Sequence, residues 1–142
     1  MVIDVQMLDP DAIMPLQAYE NDAGWDLHVL RETSIMPGRG YDVRTGIAVA
    51  IPTGHYGRII GRSSAFRRRG VLVVEGVIDS GFRGELFSYA YNVSNDKVVL
   101  ERGDSIAQLI ISPVPHVEWV QVEELYGSER GKQGFGSSGR SG

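Results

Sequence analysis

No cysteine occurs among the 142 residues, which excludes disulfides, thiolate catalysis and cysteine-based zinc sites. Basic residues are in the minority, 14 Lys plus Arg against 18 Asp plus Glu, for a formal net charge of -4. That balance excludes a binder of nucleic acid or membrane surface whose affinity rests on a broad basic field. Any polyanion must be held locally. No Lys or Arg precedes Arg31 and no apolar run approaches bilayer length, so neither a signal peptide nor a membrane anchor is expected. Histidine is sparse too: His28, His55 and His116 lie far apart, none with a metal-ligand neighbour one helical turn on, and each reads as a surface or core residue.

What the chain has in quantity is glycine, 18 residues, with six prolines spread along its length, a composition for short strands and tight turns and against a helical bundle. The 42% hydrophobic content suffices for one continuous core. Candidate strands run from Val2 to Met7, Trp25 to Leu30, Tyr41 to Ile51, Tyr56 to Ile60, Val71 to Val74, Leu86 to Val93, Ser105 to Ile111 and Val117 to Val122, an all-β pattern. The clearest alternation sets Phe87, Tyr89, Tyr91 and Val93 on one face and Leu86, Ser88, Ala90 and Asn92 on the other, and the larger residues are expected inside. One short helix is expected over Ser64 to Arg69, capped by serine, closed by Gly70 and carrying Arg67, Arg68 and Arg69 at its negative end.

Several segments carry possible chemistry. Gly61-Arg62-Ser63-Ser64 joins a strand to that helix and offers a guanidinium, two hydroxyls and free amides to an anion. Gly76 to Gly84, with Val77 and Ile78 leading into Asp79, has the alternation of a hairpin turning at Ser80-Gly81. Its glycines let backbone approach a ligand, Phe82 supplies a stacking face, and Asp79 can take a proton from water. Asp26 sits inside a strand, and Arg102-Gly103-Asp104 reads as a β-turn before Gln108. From Gly127 to Gly142, ten of sixteen residues are Gly or Ser, too few apolar groups for a core. Within that segment Phe135 stands between Gly134 and Gly136, near Arg130 and Lys132.

These segments, in this order and spacing, resemble the motifs of the trimeric all-β dUTPase family. Ala23 to Leu27 is similar to the first motif, Gly61 to Ser64 to the second, Gly76 to Gly84 to the third, Arg102 to Leu109 to the fourth and Arg130 to Gly139 to the fifth. The third motif usually has Tyr where Phe82 stands, and the fifth usually has Thr at Ser138. Phe66 and Arg67 to Arg69 replace a commoner small residue and Lys. The related dCTP deaminases carry a catalytic Glu where Tyr89 stands and lack the Gly-rich tail, so hydrolysis is the better match.

The resemblance implies a jelly-roll-like β barrel over residues 1–126 and a flexible arm over 127–142 that closes on the active site. It further implies a homotrimer with sites shared between subunits, and hydrolysis of dUTP to dUMP and pyrophosphate. Asp79 would be the general base. Arg62, Ser63, Ser64 and Gln108 would hold phosphates, with one Mg²⁺ on the triphosphate reached by Asp26 through a water. The backbone from Gly76 through Val77 and Ile78 to Phe82 would read the uracil edge, with the Phe82 ring beneath the deoxyribose. Arg130, Lys132, Phe135, Gly136, Ser137 and Ser138 would arrive with the arm, Arg130 neutralising charge on the leaving pyrophosphate and Phe135 stacking on the base. No nucleic-acid or membrane partner is implied. A cytoplasmic, nuclear or host-cell interior location is expected, not a secreted one. The alternative is a protein of this fold that binds without turnover, against which Asp79, Arg130 and Phe135 speak.

Overall fold

The computed structural model describes residues 1–134. Eleven strands and one helix follow in the order β1 Asp4–Met7, β2 Gly24–Leu27, β3 Thr33–Ile35, β4 Gly40–Arg44, β5 Ile47–Ala50, β6 His55–Gly61, α1 Ser63–Arg69, β7 Val71–Val73, β8 Gly76–Ile78, β9 Phe87–Asn92, β10 Val98–Leu100 and β11 Ala107–Pro113. All ladders are antiparallel. They form a four-stranded sheet β2-β11-β6-β8, a three-stranded sheet β4-β9-β7, and the pairs β1-β5 and β10-β3. One core joins all four: Leu27, Ile59 and Leu109 of the largest sheet meet Val43 and Ala90 of the second, Ile47 and Val49 of β5, and Ile35 and Leu100 of the last pair. This is the jelly-roll-like β fold expected from the sequence.

Glycine decides where the expected long strand Tyr41 to Ile51 breaks. Gly46 adopts φ +74°, a left-handed conformation that ends β4 and begins β5. Glu85 fastens this corner, accepting hydrogen bonds from Arg44 at 3.0 Å and from the Gly46 amide at 3.2 Å. The Trp25 to Leu30 strand is shorter than expected, ending at Leu27. Strands β3 and β10, three residues each, have no counterpart in the sequence reading.

The β9 alternation holds, with the opposite face inward. Leu86, Ser88, Ala90 and Asn92 are buried, and Phe87, Tyr89, Tyr91 and Val93 are exposed. Ala90 pairs on both sides, with Tyr41 of β4 and Val73 of β7, in the middle of its sheet, and its face joins Leu86 in the core. Asn92 is tolerated there because its polar atoms are matched: the amide donates to the carbonyls of Ile35 (2.9 Å) and Asp96 (2.8 Å), and its oxygen accepts from the Ser94 amide (2.9 Å) and hydroxyl (2.7 Å). The expected strand Val117 to Val122 forms no ladder among the described residues, and Trp119 is 91% exposed.

The helix begins one residue early, at Ser63. Its N-cap is Arg62, in extended conformation and with no side-chain capping bond, so neither Ser63 nor Ser64 serves as the cap. Gly70 closes it in the left-handed conformation at φ 67°, its amide returning to the carbonyls of Ala65 and Phe66, and Arg67 to Arg69 occupy the last turn as expected. No helix among the described residues is long and apolar enough to cross a membrane.

Candidate active site

The largest sheet carries a polar cluster at one end. Gln108 on β11 lies directly opposite Asp26 on β2, and on its other side opposite Ile60 of β6. Directly opposed residues of an antiparallel pair share a face, so Gln108 and Asp26 project together. Asp26 is fixed by its own backbone, which exchanges two hydrogen bonds with Leu16 at 2.6 and 3.2 Å. Past the end of β6, the Arg62 amide bonds the Ile106 carbonyl at 2.8 Å, which turns its guanidinium back toward β2. Its Nε lies 3.4 Å from Asp26 Oδ1, with the two side chains 38% and 22% exposed. Ser63 and Ser64 follow in the first turn of α1. The structure thus brings Asp26, Arg62, Ser63, Ser64 and Gln108 to one end of the sheet.

His28 stands near the same cluster. Burial pushes its imidazole below its ordinary value, against the upward pull of Asp26 and with a smaller downward push from Arg62. Its Nδ1 is buried with no hydrogen-bond partner among the described residues. Nothing in the sequence pattern around His28 singles it out.

The second group of expected site residues is elsewhere. Gly76–Ile78 form β8, but they pair with Ile59 to Gly57 of β6, not with the residues after the turn, so the expected hairpin is a strand followed by a turn. The turn itself falls at Ser80-Gly81 as expected, closed by the Phe82 amide on the Asp79 carbonyl at 3.1 Å. Arg83, unremarked in the sequence, clamps it by donating to the carbonyls of Ser80 (2.6 Å) and Phe82 (3.0 Å). The Phe82 ring lies over Gly84, where a Cβ would come within 2.6 Å of Cζ. Asp79 is exposed and accepts no side-chain or amide hydrogen bond at its carboxylate among the described residues. It lines a cavity of about 410 Å³ with His55, Tyr56, Ser80, Pro115 and His116.

Antiparallel pairing makes the two groups diverge. Asp79 continues β8 beyond the Gly57–Ile78 pair, whereas Arg62 lies five residues from Gly57 in the other direction. At about 3.3 Å per residue they are roughly 15–20 Å apart along the strand. One chain does not bring the carboxylate of Asp79 to the Asp26–Arg62–Gln108 cluster. Arg130 has its guanidinium on its own turn, donating to the carbonyls of Gln133 (2.7 Å) and Gly134 (3.2 Å), with Lys132 exposed beside it. Phe135, Gly136, Ser137 and Ser138 lie outside the described residues. Among those described, no three His, Cys, Asp or Glu side chains form a group able to hold a metal ion.

An all-β domain that gathers a carboxylate, a guanidinium, two hydroxyls and a carboxamide at one sheet end has the equipment of an enzyme acting on a phosphorylated substrate. The chain belongs to the dUTPase family, whose model matches residues 10–139. It is 42% identical over 140 residues to a deoxyuridine 5'-triphosphate nucleotidohydrolase of Thermobifida fusca, covering 96% of this chain and 78% of that one. It is 40% identical over 141 residues to the enzyme of the same name from Corynebacterium glutamicum, covering 97% and 95%. Among solved structures it resembles a mutant dUTPase of Staphylococcus bacteriophage 80alpha with dUpNHpp, at TM-score 0.92 and 29% identity over 97% of this chain and 98% of that one. It also resembles a mutant dUTPase of phage phi11 of S. aureus, described for its coordination of a structural Mg(II) ion, at TM-score 0.82 and 25% identity over 87% and 98%.

Proposed function

We propose that this chain hydrolyses dUTP to dUMP and pyrophosphate at a site that pairs the Asp26–Arg62–Gln108 cluster of one copy with the Asp79 turn of another. The observation that carries the reading is the separation just described. Each half has the chemistry for one part of the reaction, and the two lie at opposite ends of β6.

At the first half, Arg62, Ser63, Ser64 and Gln108 hold the triphosphate through charge-assisted and neutral hydrogen bonds. The Arg62–Asp26 contact is long and partly exposed, worth about 1 kcal/mol or less, so the guanidinium is free to turn to a more highly charged polyphosphate. A mostly covered carboxylate that belongs to no group of three metal-ligating side chains among the described residues suits an outer-sphere contact, and Asp26 would hold Mg²⁺ through one of the ion's waters. Bound there, Mg²⁺ would neutralise phosphate charge and fix the triphosphate in one conformation.

At the second half, the backbone of Gly76, Val77 and Ile78 and the turn to Phe82 read the uracil edge. The Phe82 ring packs beneath the deoxyribose and blocks a 2′-hydroxyl. Asp79 takes a proton from a water whose oxygen attacks the α-phosphorus. The new P–O bond forms as the bond to the bridging oxygen breaks, and the electron pair leaves with pyrophosphate. An exposed carboxylate without internal partners is free for that proton. Residues 127–142 act as an arm: Arg130 exchanges the carbonyls of its own turn for phosphate oxygens, Lys132 adds charge, and Phe135 covers the base while Gly136, Ser137 and Ser138 close on the phosphates.

A homotrimer supplies the second copy. Two surfaces support assembly: the outward aromatic face of β9, with Phe87, Tyr89 and Tyr91 between 37% and 43% exposed, and the unpaired segment from Val117 to Tyr126, where Trp119 is 91% exposed. Phosphate release from dUTP, dCTP, dTTP and UTP, coupled through pyrophosphatase, tests the reading. Turnover confined to dUTP and dependent on Mg²⁺ is expected. Tight dUTP binding without turnover would make the protein a binder instead.

A further inference from the structure

We propose that Gly24 is a positioning residue for the reaction, acting as the seat that holds the Gln108 carboxamide in place. Gln108 faces Asp26 across the β2-β11 ladder, and Gly24, paired with Ile110, is two residues from Asp26 on the same face. That makes Gly24 the diagonal neighbour of Gln108, within reach of a long side chain. The carboxamide lies down on it. A Cβ built at Gly24 would collide with Gln108 Oε1 and come within 2.6 Å of Cδ and 3.1 Å of Cγ, and these are the three nearest atoms.

Conformation does not require glycine here. Gly24 lies in a regular strand and is not among the residues with positive φ, so alanine fits its backbone. Gly24 opens β2, and close approach by another group is a standing reason to find glycine in a strand. The group that approaches is the terminal amide of Gln108, which can swing away if a methyl displaces it. Gly24→Ala therefore leaves the fold intact and moves one functional group. The inference rests on the reading of Gln108 as a triphosphate contact.

Its test is a cycle of Gly24→Ala, Gln108→Ala and the double variant, assayed on dUTP with Mg²⁺ and followed by thermal melting. Loss of one hydrogen bond to a charged group lowers kcat/KM by about tenfold to a hundredfold, expected for Gln108→Ala and Gly24→Ala with the same division between kcat and KM. The double variant should be no worse than Gln108→Ala, and all three should melt close to the parent. An active Gln108→Ala enzyme would remove the phosphate reading and this inference with it. A damaged Gln108→Ala enzyme beside a fully active Gly24→Ala enzyme would overturn the inference alone, as would additive losses in the double variant. If Gly24→Ala fails to fold, a double variant that folds and melts like Gln108→Ala supports the collision, and one that also fails makes Gly24 a backbone requirement instead.

Discussion

The two ends of β6 are built differently. At the Arg62 end, side chains from two strands and a helix start converge, partly covered and tied by backbone bonds from Leu16 and Ile106. At the Asp79 end, a turn held by Arg83 presents a carboxylate and a ring to solvent. The first end is a prepared seat for charge. The second presents a carboxylate and a ring, and among the described residues its nearby arginines are engaged, Arg83 by the turn and Arg58, opposite Val77, by Glu75. On the proposed reading, each end is equipped for one part of the reaction and the chain folds the two apart, so a complete site calls for a second copy.

Removing the base should have the largest effect. Asp79→Asn keeps the turn, whose bond uses the Asp79 carbonyl, and loses the proton acceptor, so kcat should fall by about 10²–10⁴-fold while dUTP binding, followed by calorimetry, stays within a few fold. Next comes the arm. Residues 127–134 are exposed, and deleting residues 127–142 should leave melting unchanged while kcat falls by about 10²-fold, the scale of one lost charge-stabilising donor. A truncated enzyme with full activity would confine the site to the two ends of β6.

Sugar selectivity sharpens the second half. Phe82→Ala should raise kcat/KM for UTP relative to dUTP, whereas Phe82→Tyr should change that ratio by less than about tenfold, roughly 1.4 kcal/mol. A larger change on restoring the hydroxyl would show that exclusion is not steric alone.

The smallest effect concerns pH at the first half. Burial holds His28 below its usual 6.5, so the folded chain favours the neutral ring. Above about 6.5 its contribution to stability is complete, and as pH falls through the lower folded value the unfolded chain binds the extra proton and the contribution is lost. Melting temperatures of the parent and of His28→Phe should therefore converge or cross as pH falls from 7 to 5, measured by calorimetry at constant ionic strength. Parallel curves would place His28 outside this linkage.

Much of this was legible in the sequence, and the failures have physical causes. Turn chemistry located Ser80-Gly81 and Gly70, because a left-handed or tight backbone leaves few residue choices. Thr45-Gly46 carried the same signal, and the apolar run Ile47 to Ile51 that follows it masked the break. The period of β9 was readable and its sense was not: bulk suggests the inside, but inward space is set by neighbouring strands, and an aromatic face can instead await another chain. The motifs fall on known segments, yet nothing local says that β8 runs back along β6 and carries Asp79 away from Arg62. Arg83 and Gly24 act through contacts set by folding, which leave no pattern in the chain.

The division of the site is tested most directly by complementation between two lesions, Asp79→Asn and Arg62→Ala, each in a full-length chain and each nearly inactive alone. Unfolded together in equal amounts and refolded, they should regain activity, because some sites then combine an intact Asp79 turn from one chain with an intact Arg62 end from another. Random assortment into closed assemblies predicts about a quarter of parental activity. No gain over the separate parents, with subunit exchange demonstrated by tagged chains, would contradict the account and place both ends of the reaction within a single chain.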